Sequence, residues 1–335
     1  MANVPQYINR EDKLISQLES AASGFLFDQL STDYLSQMGL EYLAGVEIPF
    51  KPEDLVASKT GGMPLTSIAD NMVKMLGINP SFAHRDGYIK FLATFFNEDL
   101  IDAICSKGQE ALVSEQFHTA AIYFRAALVL AHDNERAMFS YACCCREWYL
   151  SYEGEEEFTE LIKTLKAEST EYFEYCVINY PDSAPAYYYL GFAYLNASLY
   201  SKARIIWTKY LGLCDKDTEQ YKEIEGYLPE LEQASLIEGG INHILAGRYE
   251  EGLKVLEPYL QTQYNGWWPL HYYLASAYRA LGHIPEAIEG FKQVIKLAPS
   301  NYDANLALAE LYEEAGETEL AAKYQKKSEL IASNN

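Results

Sequence analysis

The chain has 335 residues, 49% of them apolar, and a formal net charge of −22. That balance argues against a binder of nucleic acid or of an anionic membrane surface, since both need a basic face. It suits a solubilised scaffold, or a groove that attracts basic segments.

The chain opens with MANVPQYINREDKL, which holds no apolar run to serve as a signal peptide. No later stretch is apolar for long enough to span a membrane, so a cytoplasmic location is expected. Six cysteines lack any CxxC pair, and Cys143, Cys144 and Cys145 are consecutive. Neighbours on a helix point about 100° apart and cannot close on one metal ion, so they read as small buried residues in a reducing compartment.

Residues 1–100 carry no repeat and predict a helical N-terminal segment. Helical periodicity runs from Arg10 to Ala22 and from Asp33 to Leu43, the second behind the capping candidates Ser31 and Thr32. A break rich in Pro and Gly near 45–64 reads as a loop. Leu65–Leu76 and Phe82–Phe96 follow as two further amphipathic helices.

From Ile101 a 34-residue period sets in. The unit 101–134 places Gly108, Ala111, Ala120, Phe124 and Ala127 in register. The next, 135–183, is 15 residues too long; the excess between Leu150 and Lys166 predicts an elongated second helix whose start carries Glu153, Glu155, Glu156 and Glu157. Unit 184–217 is regular, with Leu190, Gly191, Tyr194, Ala203 and Trp207. A spacer, 218–232, predicts an extra short helix interrupted at Pro229. The period resumes at 233–266, slips by one residue at Trp267, and is clearest at 268–301, where Leu274, Ala275, Tyr278, Gly282, Ala287, Phe291 and Pro299 fall at 7, 8, 11, 15, 20, 24 and 32. Unit 302–335 repeats it, with Gln325, Lys326, Lys327 and Ser328 as the polar outer face of a terminal repeat.

Each position has a packing sense. Ala275 and Ala287 are small where the two helices of a unit cross. Tyr278 and Phe291 fill the space between units, Gly282 ends the first helix and Pro299 closes the second.

These residues resemble the tetratricopeptide repeat (TPR) family over roughly residues 101–335, and the leader resembles those of uncharacterised bacterial TPR proteins. The resemblance implies an all-α fold: a right-handed superhelical solenoid of about six helix–turn–helix units with a helical N-terminal cap. It also implies a concave groove lined by first helices, which holds a peptide or helical segment of a partner protein. Carried over position by position, the groove takes Phe139, Cys143 and Arg146; Tyr188, Phe192 and Asn196; Ile237, Ile241 and Ile244; Tyr272, Ser276 and Arg279. Co-chaperones of the family that clamp a carboxylate tail use lysine where this chain has Cys105, Phe139, Tyr188, Ile237, Tyr272 or Leu306, so a partner with an apolar or basic segment is expected instead. An alternative is a peptide-responsive sensor whose N-terminal helices engage a second protein, the architecture of some bacterial quorum-sensing regulators.

No enzymatic pattern emerges. GxxxxGK[ST], HExxH and GxSxG are absent, and the six histidines are scattered. No enzyme activity, cofactor or metal is expected.

Overall fold

A computed structural model of the chain describes residues 12–52, 64–96 and 99–333. They form two compact units, Met1–Ala193 with Gly212–Cys214, and Tyr194–Leu211 with Asp215–Asn335. Among the described residues both are helical, and the N-terminal unit adds one small two-stranded sheet.

The N-terminal unit starts with α1 (Ile15–Leu18), a 3-10 turn (Glu19–Gly24), β1 (Leu26–Gln29), α2 (Thr32–Met38) and β2 (Glu47–Phe50). The strands pair antiparallel, Leu26 opposite Phe50 and Gln29 opposite Glu47. The expectation of a purely helical leader is thereby corrected. Periodicity was a poor guide because both segments are short: the first helical stretch shrinks to one α-turn and a 3-10 turn, and the second ends at Met38. Ser31 is the cap, its hydroxyl accepting from the Tyr34 amide at 3.3 Å. Part of the expected loop near 45–64 is β2; residues 53–63 lie outside the described set.

Helices α3 (Leu65–Ile78) and α4 (Arg85–Phe95) follow as expected. α3 packs against α6 (Phe117–Leu130), the second helix of the first repeat. A Cβ at Gly77 would stand 1.9 Å from the Ile122 carbonyl oxygen, so the two backbones meet where any side chain would part them. Tyr88 on α4 donates to the Glu47 carbonyl at 2.5 Å and fixes β2 on the helices.

α5 (Asp99–Val113) pairs with α6, and α7 (Glu135–Ser151) with α8 (Thr159–Asn179). The 15-residue excess lengthens both helices of the second unit, rather than the second alone as expected. The acidic run falls in the turn between them, closed by Tyr152 stacked on Phe158 with ring centroids 4.0 Å apart. α9 (Ala184–Asn196) belongs to this unit as far as Ala193.

The C-terminal unit holds α10 (Tyr200–Leu211), α11 (Glu219–Leu245), α12 (Tyr249–Leu256), α13 (Trp268–Ala280), α14 (Ile284–Leu297), α15 (Tyr302–Glu314) and α16 (Thr318–Ser333). The spacer expectation is corrected here. Residues 219–245 are one 27-residue helix with Pro229 inside it. An interior proline costs about 3 kcal/mol; burial of Ile224 and Leu231, and the stacking of Tyr227 on Trp207 at 5.3 Å, offset that cost. α11 thus packs on α10 from Tyr227 to Glu238 and also on α12 of the next repeat.

The pairs α13/α14 and α15/α16 pack around one core of Ala275, Ala287, Phe291, Val294, Leu308 and Leu311. Close approach of α13 and α14 occurs at Ala275, where a Cβ on Gly290 would lie 2.8 Å from the alanine methyl. Gly282 ends α13 with φ +80°, a left-handed turn in which Cβ-bearing residues are strained. On α16 Gln325, Lys326 and Lys327 are exposed as expected, but Ser328 is buried, its hydroxyl donating to the Gln325 carbonyl at 2.8 Å.

Candidate functional site

The residues singled out from the sequence fall into both units and do different things. In the N-terminal unit, Phe139 faces Phe173 at 5.9 Å and Tyr189 at 6.0 Å, and the Arg146 guanidinium lies 5.1 Å from the Tyr189 ring. Arg146 also pairs with Glu147 at 2.5 Å. Tyr189, absent from the expected set, organises this cluster; it sits one residue beyond the position that the family pattern assigns to the groove. Tyr188 packs edge-on to Tyr189 at 5.2 Å and Phe192 edge-on to Tyr188 at 5.1 Å, all three half-buried. Cys143 is half-buried, and burial pushes its thiol up to about 12.

In the C-terminal unit a cavity of about 950 Å³ gathers three of the expected residues, Ile237, Ile241 and Tyr272. α11 supplies Ala234, Ile237, Glu238 and Ile241, whose spacing places them on one helix face. α13 supplies Trp268, Pro269, Tyr272 and Tyr273; the 3-10 turn Gln263–Gly266 supplies Tyr264, and Trp267 forms the N-cap of α13. Asp303, in the first turn of α15, and Tyr200, opening α10, complete the walls. Ile237 is a floor residue, only 3% exposed, whereas Trp267 and Trp268 are 39% and 38% exposed.

The other expected residues are engaged elsewhere. Ser276 donates to the Tyr272 carbonyl of its own helix at 2.8 Å. Arg279 bridges to Glu310 at 2.8 Å and Glu314 at 3.5 Å on α15, so it clamps adjacent repeats. Asn196 is exposed, and Ile244 is buried in the core with Leu253 and Leu256. Trp267, Trp268, Tyr264, Tyr273, Glu238 and Asp303, which also line the cavity, were not among the residues singled out from the sequence. One signal was available: the one-residue slip at Trp267, which inserts an aromatic pair at the mouth of α13.

The electrostatics of the cavity run one way. Its walls carry two carboxylates, Glu238 and Asp303, and no Lys, Arg or His. Glu238 accepts from the Ser201 amide at 2.7 Å, and Ser201 and Ser235 share a hydrogen bond at 2.9 Å, which fixes the carboxylate. Burial, then the Asp303 charge, raise the Tyr272 phenol above its ordinary value. Neither carboxylate pairs with a basic side chain among the described residues.

Among the described residues no group of three or more His, Cys, Asp or Glu could hold a metal ion, and no helix is long and apolar enough to cross a membrane. His271 hydrogen bonds the Asn265 carbonyl at 2.8 Å, and His243 accepts from Arg248 at 2.9 Å.

Helix pairs stacked on shared cores define the class: an all-α helical-repeat protein. Residues 272–334 match the tetratricopeptide repeat family model, so the resemblance read from the sequence is borne out on the stretch that carries its clearest units. No curated protein matches the chain. Among solved structures it is similar to the P58(IPK) TPR domain (17% identity, 79% of this chain and 68% of that one, TM-score 0.43). It is also similar to MamA 41-end from Desulfovibrio magneticus RS-1 (16% identity, 58% and 96%, TM-score 0.34) and to PilF of Pseudomonas aeruginosa (13% identity, 71% and 94%, TM-score 0.34). Tetratricopeptide repeats generally mediate protein–protein interaction and scaffolding, and proteins built from them are typically adaptors rather than enzymes.

Proposed function

We propose that this chain is an interaction adaptor that holds a segment of a partner protein in the aromatic cavity of its C-terminal unit. The observation that carries this reading is the pair Trp267 and Trp268, large apolar side chains left over a third exposed at the rim of a cavity of about 950 Å³. Tryptophan and tyrosine that flank a pocket are what a binding surface presents at its energetic centre. The two other tryptophans, Trp148 and Trp207, are fully buried, so packing absorbs them completely.

The regulatory alternative requires the leader to shift. Against it stands the anchoring of the leader on α6: Arg125, fully buried, donates to the Gly77 carbonyl at 2.7 Å and holds the Asp12 carboxylate with both terminal nitrogens. The adaptor reading needs no such motion.

Affinity capture from cell extract, with wild type beside a Trp267→Ala, Trp268→Ala double variant, tests the proposal. Partners lost only with the variant support it. Identical capture by both, with the variant still folded by circular dichroism, refutes the cavity as the binding surface.

A further inference from the structure

The geometry points to a cationic side chain, Lys or Arg, as the group that the cavity of the C-terminal unit is built to take. This rests on the adaptor reading and adds the chemistry of the partner segment: a basic residue flanked by apolar ones.

Three observations converge. Aromatic rings dominate one side: Trp268 lies edge-on to Tyr272 at 6.3 Å and Tyr272 edge-on to Tyr273 at 5.6 Å, which sets the three rings at different angles around the cavity. A cation over an aromatic face is attracted by the ring quadrupole, and tryptophan is the strongest such surface. Second, Glu238 and Asp303 reach the same space from α11 and α15, with no basic side chain in the walls to neutralise them. Elsewhere in this unit carboxylates do find arginine, as Glu310 and Glu314 find Arg279; the two in the cavity are left for a partner. Third, Glu238 is pre-positioned by the Ser201 amide, which accounts for one oxygen and leaves the other available. A rigid acceptor costs less to engage than a mobile one. The floor, Ile237 and Ile241, is apolar and suits the methylene stem of a long basic side chain or its apolar neighbours. The net charge of −22 adds attraction at longer range, which salt weakens.

A random dodecapeptide display library panned against the full chain tests this. Enriched peptides are synthesised together with versions in which each basic residue is norleucine, and binding is followed by tryptophan fluorescence. Glu238→Gln, Asp303→Asn and Trp268→Ala variants are titrated in parallel. Glu238→Gln keeps an oxygen to accept from Ser201. The expected result is a consensus with Lys or Arg beside apolar residues, binding about three- to tenfold more weakly to each carboxamide variant. The norleucine peptides should bind wild type and both carboxamide variants alike. Enriched peptides that depend on Trp268 but are indifferent to both charge substitutions overturn the cationic assignment and leave the cavity as a binding surface. If no enriched peptide depends on Trp268, both readings fall.

Discussion

Arg125, with no exposed surface, closes a fork on the Asp12 carboxylate, 113 positions away in sequence. The same guanidinium donates to the Gly77 carbonyl at 2.7 Å, at the point where α3 and α6 touch backbone to backbone. Asp12 in turn accepts from the Leu14 amide at 3.2 Å as the chain enters α1. One side chain of a repeat helix therefore ties down two separate parts of the leader. Breaking a buried pair leaves an uncompensated charge, so Asp12→Asn or Arg125→Met should each cost about 3 kcal/mol. The double variant Arg125→Met, Asp12→Asn should recover part of that loss. Urea denaturation of the four proteins checks it, and equal, additive losses would refute the coupling.

The Asp70 carboxylate gives a pH signature to the same unit. Burial raises its pKa, but hydrogen bonds from Lys107 at 2.6 Å and Lys74 at 2.7 Å outweigh that and hold it below the ordinary value. A carboxyl lowered on folding stabilises above its unfolded value and loses that contribution as the pH falls through its folded one. The loss is therefore expected below about pH 4. Asp70→Asn should lower stability by about 1 kcal/mol at pH 7 and flatten the dependence at acid pH. Denaturation curves of both proteins from pH 7 to pH 3 measure the difference.

Two glycines of the C-terminal unit should respond oppositely to alanine. A Cβ at Gly252 would lie 2.3 Å from Ile244 Cγ1 and 3.1 Å from the Gly240 carbonyl, so Gly252→Ala must part α11 and α12 and should cost about 2 kcal/mol. At Gly226, within α11, nothing stands within 4 Å. Gly226→Ala should therefore stabilise by about 0.5–1 kcal/mol through the unfolded chain alone. Paired thermal melts decide it.

The cysteines should sort by burial. Desolvation lifts Cys105 to about 11 and Cys143 to about 12, and raises Cys144, Cys145 and Cys176 as well. Thiolate is the reactive form, so the folded protein should be alkylated by iodoacetamide at pH 8 first at the half-buried Cys214. The half-buried Cys143, its thiol raised by desolvation, should follow more slowly, and the buried Cys105, Cys144, Cys145 and Cys176 should react only on unfolding, which peptide mass mapping would show.

Tryptophan fluorescence separates the rim from the core. Acrylamide should quench Trp267 and Trp268 but barely reach Trp148 and Trp207, which have no exposed surface. Trp267→Ala with Trp268→Ala should remove most of the quenchable signal while leaving the melting temperature within a few degrees. A larger loss of stability would mean that these rings are core rather than rim.

The repeat was legible because its signal is periodic and local. Small residues at the crossings, Ala275 and Ala287, and a left-handed glycine at Gly282 each state their role within a few residues. Helix pairing and the buried faces of α13 to α16 follow from that spacing alone. The expected groove was less legible. The family pattern assigns positions to a face, but whether a side chain on that face is free depends on what the next helix brings. Arg279 met Glu310 and Glu314, Ser276 turned back to its own helix, and Ile237 sank to a floor.

Where pattern and tertiary structure part company, length and packing explain why. Segments as short as Leu26–Gln29 and Glu47–Phe50 carry too few residues to declare a period, and pairing across the intervening helix makes them strands. Pro229 signals a break by its own chemistry, yet Trp207 against Tyr227 and the buried Ile224 and Leu231 hold the helix through it. The sequence by itself determined the helical repeat, because hydrophobic spacing and turn residues act over neighbours. Tertiary structure alone decided which aromatic and acidic residues share one cavity, because Glu238, Trp268 and Asp303 meet only when three separate helices stack.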